Sequence, residues 1–173
     1  MQIDEEKQSN SLYSTLSYYK NWLDIRADPS QLSVGEMIAA GAFKQVFEGT
    51  YAGEPVAISV FNGTASMVKK NRRKSKLLAR ELRAMNMLSN HPCVPRFHGY
   101  CLSSVTSKQD QIVLVSELCD RGDLANFAAT DEFDGMTLKD RMMLCVDILR
   151  VLSVMHDEGL YHRMLLMAFV LTR

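Results

Sequence analysis

The stretch that decides the fold is Ile38-Ala39-Ala40-Gly41-Ala42-Phe43-Lys44-Gln45-Val46-Phe47, which lies inside a strand-like region spanning 31–61. Two runs rich in β-forming residues follow its glycine, at 45–51 and 55–61, and the short segment Ala52-Gly53-Glu54 separates them. Two such runs joined by a few residues that include glycine are typical of a β-hairpin. The region therefore predicts an antiparallel hairpin beside a glycine-containing loop.

Beyond the hairpin, apolar periodicity and turn residues divide the chain into further elements. They predict a helix over 75–89 that ends before His91-Pro92, strands over 95–102 and 111–118, a short helix after Gly122 and a long helix over 138–157. Thr137 and Asp140 form a start for the last helix that resembles a capping box, and Gly159 marks its end. Strands first and helices later predict an α+β fold whose helical part continues into something larger.

Composition excludes several classes of protein. The 173 residues are 47% hydrophobic, which is enough for one globular domain with a core. The 20 basic and 20 acidic residues cancel, so no net charge draws the chain to nucleic acid or to an anionic membrane. The four cysteines, at 93, 101, 119 and 145, lack metal-ligand spacing. They predict buried or partly buried thiols in a reducing compartment.

The two ends predict a cytoplasmic chain. Residues 1–10 are acidic and polar, which is typical of disorder and argues against a signal peptide. Residues 11–23 repeat apolar side chains at helical spacing and predict a short amphipathic helix that packs on the domain. The apolar tail over 164–171 is shorter than the roughly 20 residues that a membrane span needs.

A series of motifs in this order resembles the protein kinases. They are the loop over 38–47, the strand Val56-Ala57-Ile58, Glu81 on the next helix, His91-Pro92, the hinge-like run Ser116-Glu117-Leu118-Cys119, Gly122-Asp123-Leu124, and Gly159-Leu160-Tyr161-His162-Arg163. The segments Asp28-Pro29-Ser30-Gln31-Leu32 and Gly49-Thr50-Tyr51 favour the tyrosine-kinase-like group. The resemblance covers about residues 28–163.

This resemblance implies a domain layout and a ligand. A kinase small lobe, made of an antiparallel sheet and one helix, would occupy 31–118, and the hinge and the start of the helical large lobe would occupy 119–163. Residues 1–30 would be an N-terminal extension, and 164–173 an apolar tail without a counterpart. The implied ligand is ATP, at positions that match the family's nucleotide contacts: Gly41, Lys44, Val46, Ala57, Glu81, Ser116, Glu117, Cys119 and Asp123. Asp123 fits equally well as a helix-capping aspartate.

The family's ATP-binding lysine is missing from its usual position, since Ser59 stands there. A serine cannot neutralise phosphate or pair with a carboxylate as a cation does. Lys44, at the third glycine position of the loop, resembles the relocated lysine of the with-no-lysine kinases. Glu81 lies on the apolar stripe of its helix, where a carboxylate needs a cation. The two interpretations are relocation to Lys44 and simple loss, and replacement of two loop glycines by Ala39 and Lys44 predicts weak nucleotide binding.

The kinase pattern ends after His162-Arg163. The positions of the family's catalytic aspartate, a lysine and the metal-binding asparagine hold Met164, Leu166 and Phe169, and no DFG segment follows. The resemblance therefore implies no catalytic residue, no metal ligand, and no Mg²⁺ held by this chain alone. The abrupt change favours an altered reading frame or splice form of an active kinase over a genuine short protein whose tail packs on the core.

The expected function is a partial domain of a signalling serine/threonine-type kinase that binds nucleotide without transferring phosphate. The alternatives are a pseudokinase scaffold that binds a partner, and a truncated product without function. Protein partners would dock on the helix over 75–89 and on the apolar helix over 138–157, whose covering elements are missing; neither nucleic acid nor a membrane is expected. The basic run over 69–76 is expected in a solvated loop, with an acidic-partner site and a nucleic-acid site as alternatives.

Overall fold

The computed structural model describes residues 26–106 and 108–160. The predicted disordered start, the amphipathic helix over 11–23 and the tail over 164–173 lie outside the described residues. Within them, no helix is both long and apolar enough to cross a lipid bilayer.

A five-stranded antiparallel sheet forms the first part of the fold, as predicted. Its strands are β1 Leu32–Ala40, β2 Lys44–Tyr51, β3 Glu54–Phe61, β4 Phe97–Ser103 and β5 Gln111–Glu117, in the spatial order β1-β2-β3-β5-β4. A 3₁₀ turn, Pro29–Gln31, leads into β1. The hairpin between β2 and β3 turns on Ala52 and Gly53 alone, both with positive φ (51° and 87°), and Glu54 already pairs with Tyr51. Positive φ at both central residues is the geometry that matches the twist of the flanking strands.

Five α-helices are described: α1 Ala65–Lys70, α2 Arg72–Leu88, α3 Leu124–Phe127, α4 Asp131–Gly135 and α5 Leu138–Asp157. Helix α5 has the predicted bounds and the predicted capping box between Thr137 and Asp140, and Gly159 follows it with a φ of 68°. The short helices α1 and α4 were not predicted from the pattern, because elements of six and five residues carry too little periodicity.

The predicted loop before α2 is wrong. The side-chain oxygen of Asn71 accepts hydrogen bonds from the backbone N–H groups of Arg73 and Lys74, both at 3.1 Å. This cap starts the helix three residues before the predicted Ser75 and places most of the basic run in α1 and α2. The local cap outweighs the unfavourable placement of basic residues at a helix N-terminus.

The contacts divide the chain into two compact units, which are described separately. The described part of the first unit, 26–86, 97–106 and 108–117, contains the sheet, α1 and most of α2; that of the second, 87–96 and 118–160, contains α3 to α5. In the first unit, Leu78 and Leu82 of α2 pack on one face of the sheet with Phe61 and Leu114. The opposite face buries the alternate residues of β3: Val56, Ile58 and Val60.

Long helix α5 is mostly uncovered within the second unit. Only Val151 and Met155 are buried on it, in a small cluster with Leu88. Leu138, Met142 and Leu149 are 75%, 60% and 61% exposed. This distribution matches the apolar exposure predicted for this helix.

The thiols differ from the prediction at one position. Cys101 is buried and Cys93 and Cys119 are partly buried, but Cys145 is exposed on α5, because the helix turns that side away from its own cluster. Burial, with a smaller contribution from the Asp28 carboxylate, raises the pKa of Cys101 to about 11. Cys101 therefore stays a protonated thiol at neutral pH.

Gly49 has no room for a side chain. A Cβ there would lie 2.2 Å from the Ser33 carbonyl oxygen and 2.4 Å from Ile58 Cδ1. We expect Gly49→Ala to destabilise the first unit by about 1–3 kcal/mol in urea unfolding followed by circular dichroism. Gly41→Ala is the matched control, because its Cβ would meet only the Lys44 carbonyl oxygen at an ordinary 3.5 Å. Equal unfolding midpoints for the two variants would contradict the packing of β1 on β2.

The exposed side of α5 gives a second prediction. The triple variant L138Q/M142Q/L149Q should bind less of a hydrophobic dye and aggregate less, with little change in Tm, because these side chains are mostly in water already. Val151→Gln, on the buried side of the same helix, should instead lower Tm. Unchanged dye binding in the triple variant would show that α5 is covered in solution.

Candidate functional site

One face of the sheet carries four of the nine candidate nucleotide contacts: Lys44, Val46, Ala57 and Ser116. In β3, Phe61 faces α2, so the alternate residues Ala57 and Ser59 point to the same side. The ladder between β2 and β3 places Lys44 opposite Phe61 and Val46 opposite Ser59. Directly opposed residues share a face. Ser116 of β5 lies opposite Ala57 and joins them, so these side chains project from one surface, next to α2.

Lys44 contacts Glu81 across this surface. The Lys44 Nζ lies 2.5 Å from Glu81 Oε1, and the two side chains are 38% and 30% exposed. Such a partly exposed pair contributes little to stability, typically about 0–1 kcal/mol. The position of Glu81 on the apolar stripe of α2 predicts a buried carboxylate, but Glu81 is only partly buried. Leu77, on the same stripe, is exposed, so this part of the stripe is not covered. The pair nevertheless fixes an ammonium group between β2 and α2.

The loop that joins β1 and β2 is tied down from β3. The Gly41 N–H donates to the Lys44 carbonyl at 2.8 Å, which closes the turn. The Asn62 side-chain amide donates to the carbonyls of Gly41 and Ala42, at 3.3 and 3.2 Å, and the Asn62 backbone N–H donates to Phe43 at 2.9 Å. Three hydrogen bonds from one residue thus hold the carbonyls of Gly41, Ala42 and Phe43 in the glycine-containing loop.

A cavity of about 190 Å³ opens beneath this loop in the first unit. Phe43, Phe61, Asn62, Lys74, Leu77 and Glu81 line it. Aromatic and aliphatic walls with a few charged groups are typical of small-molecule sites. The ion pair of Lys44 and Glu81 therefore borders a space that a ligand could enter.

The remaining candidate residues are placed differently. Glu117 lies opposite Val56, which puts its side chain on the sheet face away from α2. Cys119 and Asp123 belong to the second unit. Asp123 is the N-cap of α3, and its two oxygens accept from the Asn126 backbone N–H and side-chain amide, both at 2.8 Å. The capping role considered for Asp123 is thus present.

Sequence reasoning missed Asn62, Phe43 and Lys74 as parts of this surface. Asn62 follows a β-run in a segment with the sequence Asn62-Gly63, which signals only a turn. Lys74 was assigned to a solvated loop. The error about the start of α2 therefore also hid a cation that lines the cavity.

Over 26–106 and 108–160, no three histidine, cysteine, aspartate or glutamate side chains are grouped so that they could hold a metal ion.

Comparison with known proteins identifies the family. Residues 32–173 match the family described as protein tyrosine and serine/threonine kinase. The chain is 26% identical over 162 residues to a probable serine/threonine-protein kinase of Dictyostelium discoideum. It is 24% identical over 137 residues to a serine/threonine/tyrosine-protein kinase of Arabidopsis thaliana, and 30% identical over 128 residues to the mouse dual specificity testis-specific protein kinase 2. The chain belongs to the protein kinase family, and its five-stranded antiparallel sheet with helices is consistent with the small lobe of that fold.

The matches cover only part of each relative, and this limits which properties of the relatives can be assigned to this chain. They cover 93%, 79% and 74% of this chain but only 25%, 34% and 20% of the three relatives. The family match extends to residue 173, whereas the motifs quoted above end at Arg163. The activities of the whole relatives therefore do not pass directly to this chain.

Asn62 provides the test of the loop geometry. We expect Asn62→Ala to speed hydrogen exchange of the Gly41 amide by about thirtyfold, because it removes two hydrogen bonds that each contribute about 1 kcal/mol to keeping the loop closed. Amide exchange followed by NMR gives the rate at this position. Asn86→Ala, at an exposed position of α2, is the control and should leave that rate unchanged. If both variants exchange like the parent chain, the Asn62 contacts do not hold the loop.

Proposed function

We propose that this chain is a kinase small lobe with the start of a large lobe that binds the phosphates of ATP through Lys44, in place of the lysine missing at Ser59. The observation that carries the proposal is the 2.5 Å contact between Lys44 Nζ and Glu81 Oε1. It supplies the pairing of a cation with the α2 carboxylate that kinases use to position phosphates.

The sheet register supports the substitution of one lysine for the other. Lys44 is the diagonal neighbour of Ser59 on the same face. Diagonal cross-strand neighbours lie about 7 Å apart, within reach of a long side chain. An ammonium group delivered from β2 therefore reaches the region that a lysine at position 59 would serve. The small side chains of Ala57 and Ser59 leave room on this face for a ligand.

These residues suit ATP as a ligand. ATP would supply the phosphates that Lys44 contacts, including the phosphate group that kinases transfer. Lys44 would neutralise phosphate charge, and Glu81 would hold Lys44 in place. The loop carbonyls are engaged by Asn62, which restrains the backbone over the phosphates. Alanine at position 39 and lysine at position 44 restrict the loop, so binding should be weak.

We propose further that this chain does not transfer phosphate by itself. Met164, Leu166 and Phe169 stand at the positions of the catalytic aspartate, a lysine and the metal-binding asparagine. An apolar side chain can neither accept the proton of a substrate hydroxyl nor bind Mg²⁺, and loss of a positioned base alone costs roughly 10²–10⁴ in rate. Nucleotide binding without transfer would make the chain a pseudokinase-like binding module.

The lysine relocation is tested with a fluorescent ATP analogue titrated into the full chain. Lys44→Ala should weaken binding at least about tenfold, since a charge-assisted contact to phosphate is lost. Moving the lysine back, in K44G/S59K, should restore most of the affinity, because position 59 lies on the same face. Lys139→Gln, which removes an exposed cation that does not line the cavity, is the matched control and should bind the analogue like the parent chain.

Each result decides between the interpretations. Restored binding in K44G/S59K shows that the site needs a lysine and accepts it from either strand. Equal binding by the parent chain and Lys44→Ala would overturn relocation and leave simple loss. If the parent chain unfolds cooperatively, and is therefore folded, but does not bind the analogue, the result would favour a scaffold that does not bind nucleotide.

A further inference from the structure

The solvent side of α2 carries a row of basic residues. Arg73, Lys76, Arg80 and Arg83 are all exposed and lie at helical spacings of three or four residues. At 3.6 residues per turn they fall within an arc of about 80°, and they span about 15 Å along the helix. We call these four residues the basic stripe.

The basic stripe lacks counter-ions on its own helix. Glu81 is the single acidic residue of α2, and it faces the sheet, where it contacts Lys44. Among the residues that the structure describes, Arg73, Lys76 and Arg80 make no ion pair. The charges of these three residues are therefore not balanced by the described part of the fold.

This arrangement works against the stability of α2. Like charges three or four residues apart repel, and basic groups in the first turn of a helix oppose its dipole. The first turn of α2 contains no acidic residue. Local rules of this kind are most often broken where a protein meets a ligand or partner.

We propose that the basic stripe docks an acidic segment of a partner protein. Charge complementarity is the first argument, since an anionic segment would relieve the repulsion along α2. A segment of about five extended residues matches the 15 Å row. Leu77, one turn after Arg73, is exposed and lines the cavity beneath the loop, so an apolar side chain of the same segment has a place beside the stripe.

A short acidic segment fits better than a polyanion or a membrane. The chain as a whole has no net charge and a pI near 6.9, whereas domains that bind nucleic acid are typically strongly basic. The stripe is one row wide, and the opposite side of α2 is packed on the sheet. Binding to an anionic bilayer usually combines basic residues with an apolar face free to enter the lipid.

The test uses the full chain and a fluorescein-labelled heptapeptide with one central leucine and glutamate at every other position. Fluorescence anisotropy should show saturable binding that weakens as salt is raised. The variant K76Q/R80Q should weaken binding at least about fivefold. The control K108Q/K139Q removes the same charge from exposed positions elsewhere and should bind like the parent chain. A glutamine version of the peptide should not bind.

Three further readouts make the result decisive. K76Q/R80Q should keep or raise Tm and should bind the ATP analogue like the parent chain, because neither residue lines the cavity or contacts Lys44. The measurements can therefore reject the docking proposal without rejecting the nucleotide-binding proposal, and the reverse. Equal peptide binding by K76Q/R80Q and K108Q/K139Q would overturn the proposal. So would a parent chain that ignores the peptide but binds an oligonucleotide or phosphatidylserine vesicles through Lys76 and Arg80.

Discussion

The ion pair between Lys44 and Glu81 is the contact on which the functional reading of the fold depends. It joins the first residue of β2 to the inner side of α2, which is otherwise held to the sheet by Leu78 and Leu82. Apolar packing sets how close the helix lies to the sheet, but it has no directional preference. The ion pair adds direction, because a lysine at the start of β2 reaches a carboxylate only at one position along the helix.

A lysine on β2 has a mechanical consequence that a lysine on β3 would not have. The carbonyl of Lys44 accepts from the Gly41 N–H, so the same residue closes the glycine-containing loop and supplies the cation. Asn62, at the end of β3, holds the other side of that loop. Loop position and cation position are therefore coupled through one residue. In an arrangement with the lysine on the central strand β3, the loop could move while the lysine stayed fixed.

Much of this fold could be predicted from the sequence, for reasons visible in particular residues. Some features depend only on residues that are close in sequence, and their patterns therefore predict the local structure directly. Examples are the alternating apolar residues in β3, the turn at Ala52 and Gly53, and the capping box of α5. The start of α2 could not be read from composition, because a single side chain, Asn71, caps it ahead of a run that looks unfavourable for a helix. Asn62 and Lys74 were missed because their roles arise from segments that meet only in three dimensions.

The two sides of helix α2 differ in charge: the inner side carries a carboxylate and the outer side carries basic residues. Its one carboxylate is used inward, by Lys44, and on the outer side Arg73, Lys76 and Arg80 make no ion pair among the described residues. Arg80 and Arg83 lie one and two residues from Glu81, spacings at which side chains on a helix do not face each other, so Glu81 would not neutralise the outer row even without Lys44. The inner ion pair and the basic stripe are therefore electrostatically separate features of one helix. Because α2 carries no acidic residue on its outer side, neutralisation of Arg73, Lys76 and Arg80 must come from outside the helix.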